Sequence, residues 1–395
     1  MARSLRVFYL FRLLATSYPF VPVAVAFATQ RGLGLVEIMT LKSIYALVVL
    51  LSEVPTGALA DRLGRKRSMM LGALAMIAAC LLWAYARSFG AFAGAEVLAG
   101  LSMTLCSGAD TAYLFDLLDG RGKLAEYPGR EGTATAWHLA GSTVAFAAGG
   151  LLGELDLVLP YLVGAGVAAA AFVCATLLDE PPSHPRPAQS LGAEVRAAFR
   201  VAGRPALRWT IAYSAVVFAL LRSTEYVAQP YLKEQGFSVG ETGLVFAAFF
   251  LIAAAVAHGA MRLRGAAGEP GLLFGTLLLL AATFVGLGAA TGTASLIILF
   301  SQAAANGLYS PLVKPLLNRE IDDSGRRATV LSVESMVRRA AFLMFSPVVG
   351  WAMARYGVSV GFTVCGCVAV ASAGVLALVR PRATVTAREL ATPGG

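Results

Sequence analysis

The sequence predicts an all-α integral membrane protein with twelve transmembrane helices in two pseudo-symmetric six-helix bundles. Of its 395 residues, 57% are hydrophobic and 14% are charged, and the mean hydropathy of +0.71 lies outside the usual range for soluble chains. Twelve apolar segments are each long enough to cross a bilayer core, which takes about 20 residues. Lys and Arg recur in short bursts between these segments, so the net charge of +9 reflects topology and not a nucleic-acid surface.

The twelve predicted helices follow each other with short connections. In chain order they span residues 5–29, 36–59, 68–87, 90–118, 132–154, 157–178, 207–231, 240–262, 270–291, 293–317, 329–355 and 358–379. The first segment imitates a secretory signal peptide, with a basic start and an apolar body. Arg12 interrupts that body, and cleavage would remove one helix of the internal repeat, so we predict an uncleaved first helix.

The distribution of Lys and Arg predicts the orientation of the helices. With the N-terminus placed inside, the outer loops contain only four basic residues, which are Arg31, Arg87, Lys233 and Arg355. The inner segments hold the excess that the positive-inside rule requires. We therefore predict a multi-pass protein of the cell (inner or cytoplasmic) membrane with both termini cytoplasmic.

A proline-rich polar interval divides the chain. It begins at Asp179 and continues to about Pro205, and its prolines prevent a continuous helix. We predict an N-terminal six-helix bundle at residues 1–180, a cytoplasmic linker at 181–206, a C-terminal six-helix bundle at 207–380 and a cytoplasmic tail at 381–395. Leu191, Val195 and Phe199 recur every four residues in the linker, which fits either an amphipathic helix on the inner leaflet or a solvated linker helix.

The two halves carry a weak internal repeat. Gly32 and Glu37 recur 204 residues later as Gly236 and Glu241, in the corresponding loop of the other half. Such a repeat is typical of transporter folds built from two related bundles.

A short basic loop joins the second and third predicted helices. It reads Gly57-Ala58-Leu59-Ala60-Asp61-Arg62-Leu63-Gly64-Arg65-Lys66-Arg67. This string resembles the loop 2-3 signature of the major facilitator superfamily, Gly-x-x-x-Asp-Arg/Lys-x-Gly-Arg/Lys-Arg/Lys, and matches it at every defined position. A basic loop that only follows the positive-inside rule is the simpler alternative. In the second half, only Arg262-Leu263-Arg264-Gly265 remains of the corresponding loop.

The resemblance extends over nearly the whole chain and implies a central cavity lined by helices 1, 4, 7 and 10. Ionisable groups at membrane depth are costly and are functional candidates for that reason. The candidates for binding substrate or protons on these helices are Arg12, Glu96, Asp110, Arg222, Glu225 and Asn306. Asp110 is the favoured proton carrier, because a carboxyl in such a cavity can take up and release a proton. The i, i+3 spacing of Arg222 and Glu225 fits a structural pair equally well.

A second set of candidates lies near the inner ends of helices 2, 4, 5 and 11. The resemblance implies a gate in which the loop's aspartate meets helix 11 and its second arginine meets an acid at the end of helix 4. The predicted gating residues are Glu53, Gly57, Asp61, Arg62, Gly64, Arg65, Asp116, Glu334 and Arg338. Asp116 matches the acid by position, although Asp119 is close enough to compete. His138 either titrates or packs beside Trp137.

No enzyme motif is present in the sequence. There is no Gly-x-x-x-x-Gly-Lys-Ser/Thr loop for ATP, and three scattered histidines give no pair with metal-binding spacing, so we expect neither a cofactor nor a metal. The five cysteines fall inside apolar runs and are expected to be packing residues.

The predicted function is proton-coupled secondary transport of a small organic molecule by alternating access, with export by drug or metabolite antiport favoured. The expected partners are the substrate, protons and the lipid bilayer, and the expected state is a monomer. Drug–proton antiporters of the superfamily that the chain resembles usually carry an arginine in the outer part of helix 4 and a Gly-Pro pair in helix 5. Here Glu96 stands in place of the arginine and Ala145-Phe146 in place of Gly-Pro, and both departures weigh against export. The alternatives are uptake symport or facilitated exchange of a polar or anionic solute, motivated by Arg12 and Arg222, and a non-transporting membrane sensor.

Overall fold

The computed structural model describes residues 2–181, 204–319 and 327–381, which form helices and connecting turns and contain no β-strand. The helices are α1 (Ala2–Leu14 and Ala24–Gln30), α2 (Leu35–Leu63), α3 (Arg65–Tyr85), α4 (Phe89–Ser107 and Ala109–Asp119), α5 (Tyr127–Leu155), α6 (Leu159–Thr176), α7 (Pro205–Glu234), α8 (Val239–Ala260), α9 (Gly268–Ala289), α10 (Thr293–Arg319), α11 (Arg327–Tyr356) and α12 (Val358–Leu378). The predicted linker helix and the tail beyond residue 381 lie outside the described residues.

Nine helices of the described chain are long and apolar enough to span a membrane. The other three complete the twelve. One of them, α1, is divided into two short helices, and α5 and α11 carry charged side chains such as Glu131 and Glu334. The predicted all-α membrane fold is confirmed, and most helix ends lie within three residues of the predicted positions.

The first helix is not continuous, so that prediction was wrong. The α-helix stops at Leu14, a short 3₁₀ turn follows at Val21–Val23, and a helix resumes at Ala24. The cause is Pro19 together with Pro22, since proline cannot donate the backbone hydrogen bond that a helix interior needs. The break lies against α5, where a side chain at Gly149 would collide with the carbonyl group of Pro19.

The internal repeat is visible in the backbone. Gly32 and Gly236 both adopt positive φ, at 88° and 86°. Five residues later, Glu37 and Glu241 each accept a hydrogen bond of 2.8 Å from the backbone N–H group at the start of their helix. These capping boxes fix the entry of α2 and α8 in the same way, as expected if the two halves descend from one bundle.

The buried side chains divide into separate hydrophobic clusters for the two halves. One cluster lies almost entirely among α7–α12, and two others lie among α1–α6. The end of the molecule that carries Gly64, between α2 and α3, is named the loop end, and the opposite end is named the far end.

The two halves are joined tightly at the far end. Gln229 of α7 accepts a hydrogen bond of 2.9 Å from the Val25 N–H and donates one of 3.0 Å to the Val21 carbonyl. Glu154 at the end of α5 accepts a hydrogen bond of 2.6 Å from the Gly240 N–H at the start of α8. These bonds tie the second part of α1 and the end of α5 to the C-terminal half.

A second far-end seam joins α2 and α11. Ser43 donates to the Leu343 carbonyl at 3.0 Å, and Ser346 donates to the Met39 carbonyl at 3.1 Å. A Cβ atom built on Gly350 would lie 2.8 Å from the Met39 Cβ, so the two helices touch through a glycine. The far end is therefore closed.

Candidate functional site

The loop between α2 and α3 forms a charged triad. Arg65 lies 2.6 Å from the Asp61 carboxylate and 3.5 Å from Asp116 at the end of α4. The second arginine of the loop thus meets the helix 4 acid, and that acid is Asp116, not the nearby Asp119. These three residues are named the loop triad.

Gly64 is required at the turn before this triad. Its φ of 97° is unfavourable for other residues, and an added Cβ would lie 2.5 Å from a carboxylate oxygen of Glu180. Glu180 accepts a hydrogen bond of 3.3 Å from the Lys66 N–H, which places a negative charge at the N-terminus of α3. The shape of the turn is thus held by the backbone of Gly64 and the side chain of Glu180 together.

Two expectations for the gate are not met in this conformation. Asp61 pairs with Arg65 of its own loop and not with a described residue of α11. The expectation from sequence that Gly57 lets two helix ends approach closely also fails here, because a Cβ built on it would meet no atom within 4 Å. The physical reason is local for Asp61, which stands four residues before Arg65 and so lies within reach of the guanidinium of its own loop.

The second half contains a charge-inverted counterpart of the loop triad. Glu269 lies between Arg264, to which it is hydrogen-bonded, and Arg319 at the end of α10, 3.0 Å away. Glu269 follows Gly268, which has a φ of 70°, just as Arg65 follows Gly64 exactly one repeat of 204 residues earlier. Sequence comparison missed this group because its central residue is an acid in place of an arginine.

The central charged group of the N-terminal half connects α1, α4 and α5. Arg12 forms an ion pair with Asp110, and its second terminal nitrogen lies 3.5 Å from Glu131. Asp110 also accepts a hydrogen bond of 2.6 Å from the Thr111 N–H. Arg12, Asp110 and Glu131 are named the Arg12 cluster.

Glu131 was missed by sequence reasoning. Helix 5 was predicted to begin at residue 132, which left Glu131 in a loop, whereas α5 begins at Tyr127. Pro128 in the first turn was the available signal, since proline is favoured at the start of a helix. The earlier start turns Glu131 into a helical residue that faces α1.

Next to this cluster, the two halves repeat a polar contact between equivalent helices. His138 Nδ1 of α5 lies 2.5 Å from the Thr16 hydroxyl that follows the first part of α1. In the other half, Ser214 of α7 donates to the Glu334 carboxylate of α11 and also lies 2.8 Å from the Tyr309 hydroxyl. His138 of α5 and Glu334 of α11 thus occupy corresponding places in the two halves, and each is hydrogen-bonded to a hydroxyl group of the first helix of its own half.

Glu96 is buried and forms an ion pair with Lys42 of α2, a residue outside the predicted site. The Lys42 ammonium also lies 5.8 Å from the ring centre of Trp83 and 5.3 Å from that of Tyr226. Since Tyr226 belongs to α7, this cation–π contact crosses between the halves.

Arg222 and Glu225 form the same-face pair that their spacing permits, with hydrogen bonds of 2.7 and 2.5 Å. The Arg222 side chain is nevertheless 45% exposed. Its guanidinium lies over the ring of Phe218 on the same helix, 5.8 Å from the ring centre.

The remaining predicted residues do not join one gate. Glu53 of α2 accepts a hydrogen bond of 3.2 Å from Ser335 and lies 3.8 Å from Arg339, both on α11. Glu334 and Arg338 lie in the C-terminal half, 3.9 Å apart, with Arg338 over the Phe218 ring. Apart from Arg62, the charged members of the predicted gating set thus divide into the loop triad, the Glu53 bridge and the Glu334–Arg338 pair.

The last two predicted residues have weaker surroundings. Arg62 is exposed next to the loop triad. Asn306 of α10 is half-buried and makes no side-chain hydrogen bond to another described residue. Within the described ranges, no three His, Cys, Asp or Glu side chains are placed to hold a metal ion.

The sequence matches the profile of the protein family described as Major Facilitator Superfamily over residues 7–300. A curated protein of Bos taurus, Major facilitator superfamily domain-containing protein 10, is 37% identical over 78 residues. That stretch is 19% of this chain and spans only 16% of the bovine protein's length.

The fold is similar to those of solved transporters. The nucleoside transporter NupG aligns with a TM-score of 0.81 and 12% identity, over 96% of this chain and 99% of that chain. The human organic anion transporter MFSD10 (TETRAN) aligns with a TM-score of 0.67 and 19% identity, over 95% and 99%. A D-xylose-proton symporter aligns with a TM-score of 0.73 and 16% identity, over 95% and 97%. At these identities the similarity concerns the fold alone.

Proposed function

The chain belongs to the Major Facilitator Superfamily, and on this premise we propose that it couples the movement of a small organic molecule to protons. It is a multi-pass membrane protein and a secondary transporter of this superfamily, not an enzyme. Coupling, direction and substrate are the proposed part.

The observation that carries the proposal is the Arg12–Asp110 ion pair. Asp110 is buried, with 8% of its side chain exposed, and joins α1 to α4, two helices that line the central space in the proposed mechanism. Protonation of Asp110 would cancel the attraction to Arg12, so proton uptake would release one helix from the other. A carboxyl whose protonation changes helix contacts is what coupling to a proton gradient requires.

The proposed transport cycle rests on the closed far end. The halves would rock about the central space, so that the bonds of the far end break while the loop end closes further around the Glu53 bridge, which joins α2 to α11. The loop end carries Arg62, Lys66 and Arg67, which supports a cytoplasmic position in the cell membrane. In this orientation both termini are cytoplasmic, and the closed far end faces away from the cytoplasm.

We propose export, by antiport, as the direction, supported by the complete signature loop and by Asp110. Inside-out vesicles provide the test, because an exporter accumulates its substrate when their interior is acidified. With a panel of radiolabelled organic compounds, Asp110→Asn is expected to reduce proton-driven accumulation to the level of empty vesicles while the purified protein keeps its elution profile. Unchanged accumulation by Asp110→Asn would contradict the assignment of the proton carrier.

An anionic solute, moved by symport or exchange, is the second candidate. It is favoured by the exposed guanidinium of Arg222 on α7, a helix that the family resemblance places at the central cavity. A protein with a similar fold, MFSD10, is described as an organic anion transporter. If an anion binds there, Arg222→Ala removes a charge-assisted hydrogen bond worth about 1.5–3 kcal/mol and weakens binding roughly 10- to 100-fold. Isothermal titration of anionic and neutral analogues measures this, and an equal loss for neutral analogues would contradict the anion reading.

A further inference from the structure

We propose that Glu131 shares a single proton with Asp110 and is the group through which the Arg12 cluster exchanges that proton with water at the loop end. This inference rests on the proposed proton coupling and adds a residue to it. Its basis is the geometry of the cluster, which was not accessible from the sequence.

The charge of the Arg12 cluster requires a proton. The cluster contains one guanidinium and two carboxyl groups, so full ionisation would leave a net charge of −1 inside a membrane-spanning bundle. An uncompensated charge at that depth is unfavourable. One bound proton makes the cluster neutral.

The hydrogen bonds indicate which carboxyl holds that proton here. Asp110 receives donors from Arg12 and from the Thr111 N–H, as an ionised carboxylate requires. Glu131 Oε2 is buried and has no donor among the described residues, and Oε1 is 3.5 Å from the nearest Arg12 nitrogen. Leaving a charged oxygen without a donor costs more than leaving a neutral one, so the proton lies on Glu131 in this conformation.

Position gives Glu131 the exchange role. Its side chain is 25% exposed, against 8% for Asp110, and it lies one turn from the loop-end start of α5. The other titratable groups that face the cluster are Tyr127 and His138 of α5, Tyr18 beside α1 and Cys106 of α4. Among these only His138 ordinarily titrates near neutral pH, so the test must separate it from Glu131.

The exchange is a simple proton release. The O–H bond of Glu131 breaks, the proton passes to water at the loop end, and the electron pair stays on Oε2. Arg12 Nε, which is buried and has no acceptor among the described residues, is then the donor that the new carboxylate lacks. Arg12 turning towards Glu131 leaves Asp110 free to take up the next proton.

The test compares Glu131→Gln and Asp110→Asn with two controls. Glu126→Gln makes the same chemical change at the same helix start, in an exposed residue that pairs with Arg130 and lies outside the cluster. His138→Gln removes the competing titratable group. Infrared difference spectra of the purified proteins between acidic and alkaline pH report protonated carboxyl groups without any substrate, and proton-driven accumulation is measured in vesicles.

We expect Glu131→Gln to lose both a protonated-carboxyl band and proton-driven accumulation. Wild type, Glu126→Gln and His138→Gln should retain the band, and Glu131→Asp should restore the band and the accumulation in part. If Glu131→Gln keeps the band and wild-type accumulation while Asp110→Asn loses accumulation, the role of Glu131 is overturned and coupling through Asp110 still stands. Wild-type dependence on the proton gradient in both variants would instead overturn the proposed function itself.

Discussion

Lys42 and Glu96 show what a charge inside this bundle requires. The ammonium has a carboxylate partner from α4 and aromatic rings from α3 and α7, so it is surrounded by groups that replace its hydration. Such a pair need not stabilise the fold overall, because desolvation of both charges opposes their attraction. Loss of one partner alone is the damaging event.

The first prediction concerns this pair. Lys42→Met or Glu96→Leu alone is expected to destabilise the protein by about 3–5 kcal/mol, because each leaves a buried charge without a partner. The double substitution is expected to return stability to within roughly 1 kcal/mol of wild type. Thermal unfolding of the detergent-purified proteins measures this, and additive losses in the double variant would contradict the coupling.

The residue scale also shows how far the sequence can predict a site. Arg12, Asp110 and Arg222 could be selected as candidates from the sequence, since a charged residue in an apolar run is rare enough to be noticed. Their partners were not, because Lys42 and Glu131 meet Glu96 and Arg12 through contacts 54 and 119 residues apart, which follow from the packing of helices. The Arg222–Glu225 pair was predictable, since both residues lie on one turn of helix.

At the scale of the helices, glycines set the distances between elements. Gly150 of α5 and Gly243 of α8 lie against each other, and a Cβ atom on Gly243 would be 2.5 Å from the Gly150 Cα. The two backbones therefore touch directly at a crossing between the halves, as small residues permit inside membranes. Nearby, the broken segment of α1 relies on Gly149 in the same way.

The second prediction is that Gly243→Ala forces α5 and α8 apart. Overpacking of this kind costs about 1–3 kcal/mol. Gly259→Ala is the matched control on the same helix, because a Cβ there meets no atom within 4 Å and alanine favours the helix by up to about 1 kcal/mol. Thermal unfolding of the two purified variants should separate them, and equal stability would mean that the crossing is not closely packed.

The positions of the helices were more predictable than their internal shape. Hydropathy is a local property, so the ends of α4, α10 and α12 lie within two residues of the predicted values. The break in α1 was missed because apolar residues continue through it, although Pro19 and Pro22 marked it. The early start of α5 was missed because its first turn is polar, and that error hid Glu131.

At the scale of the whole molecule, the repeat preserves geometry more strictly than charge. Gly64 and Gly268 both adopt positive φ, and a three-residue ionic group lies beside each of them. In the loop triad an arginine lies between two carboxylates, whereas in the second half Glu269 lies between Arg264 and Arg319. A turn conformation has few allowed residues, whereas an ionic group retains its attraction when every sign is exchanged. This is why the sequence comparison of the two halves failed at this loop.

The third prediction tests whether the far end must open for transport. Met39→Cys with Gly350→Cys places Cβ atoms about 2.8 Å apart, within roughly 1 Å of the span that a disulfide needs. Oxidation is expected to lock the far end closed and stop transport, and a reducing agent is expected to restore it. Each single cysteine variant serves as the control, and full transport by the oxidised double variant would contradict alternating access through this seam.

The closed far end has a consequence for reagents that recognise shape. There, α1, α2, α5, α7, α8 and α11 from both halves present one continuous surface, which exists only while their hydrogen bonds hold. An antibody fragment raised against that surface would bind this conformation and lose its epitope when the halves separate. It would act as an inhibitor without approaching Arg222 or the Arg12 cluster, and the side of the membrane on which it works would reveal which compartment the far end faces.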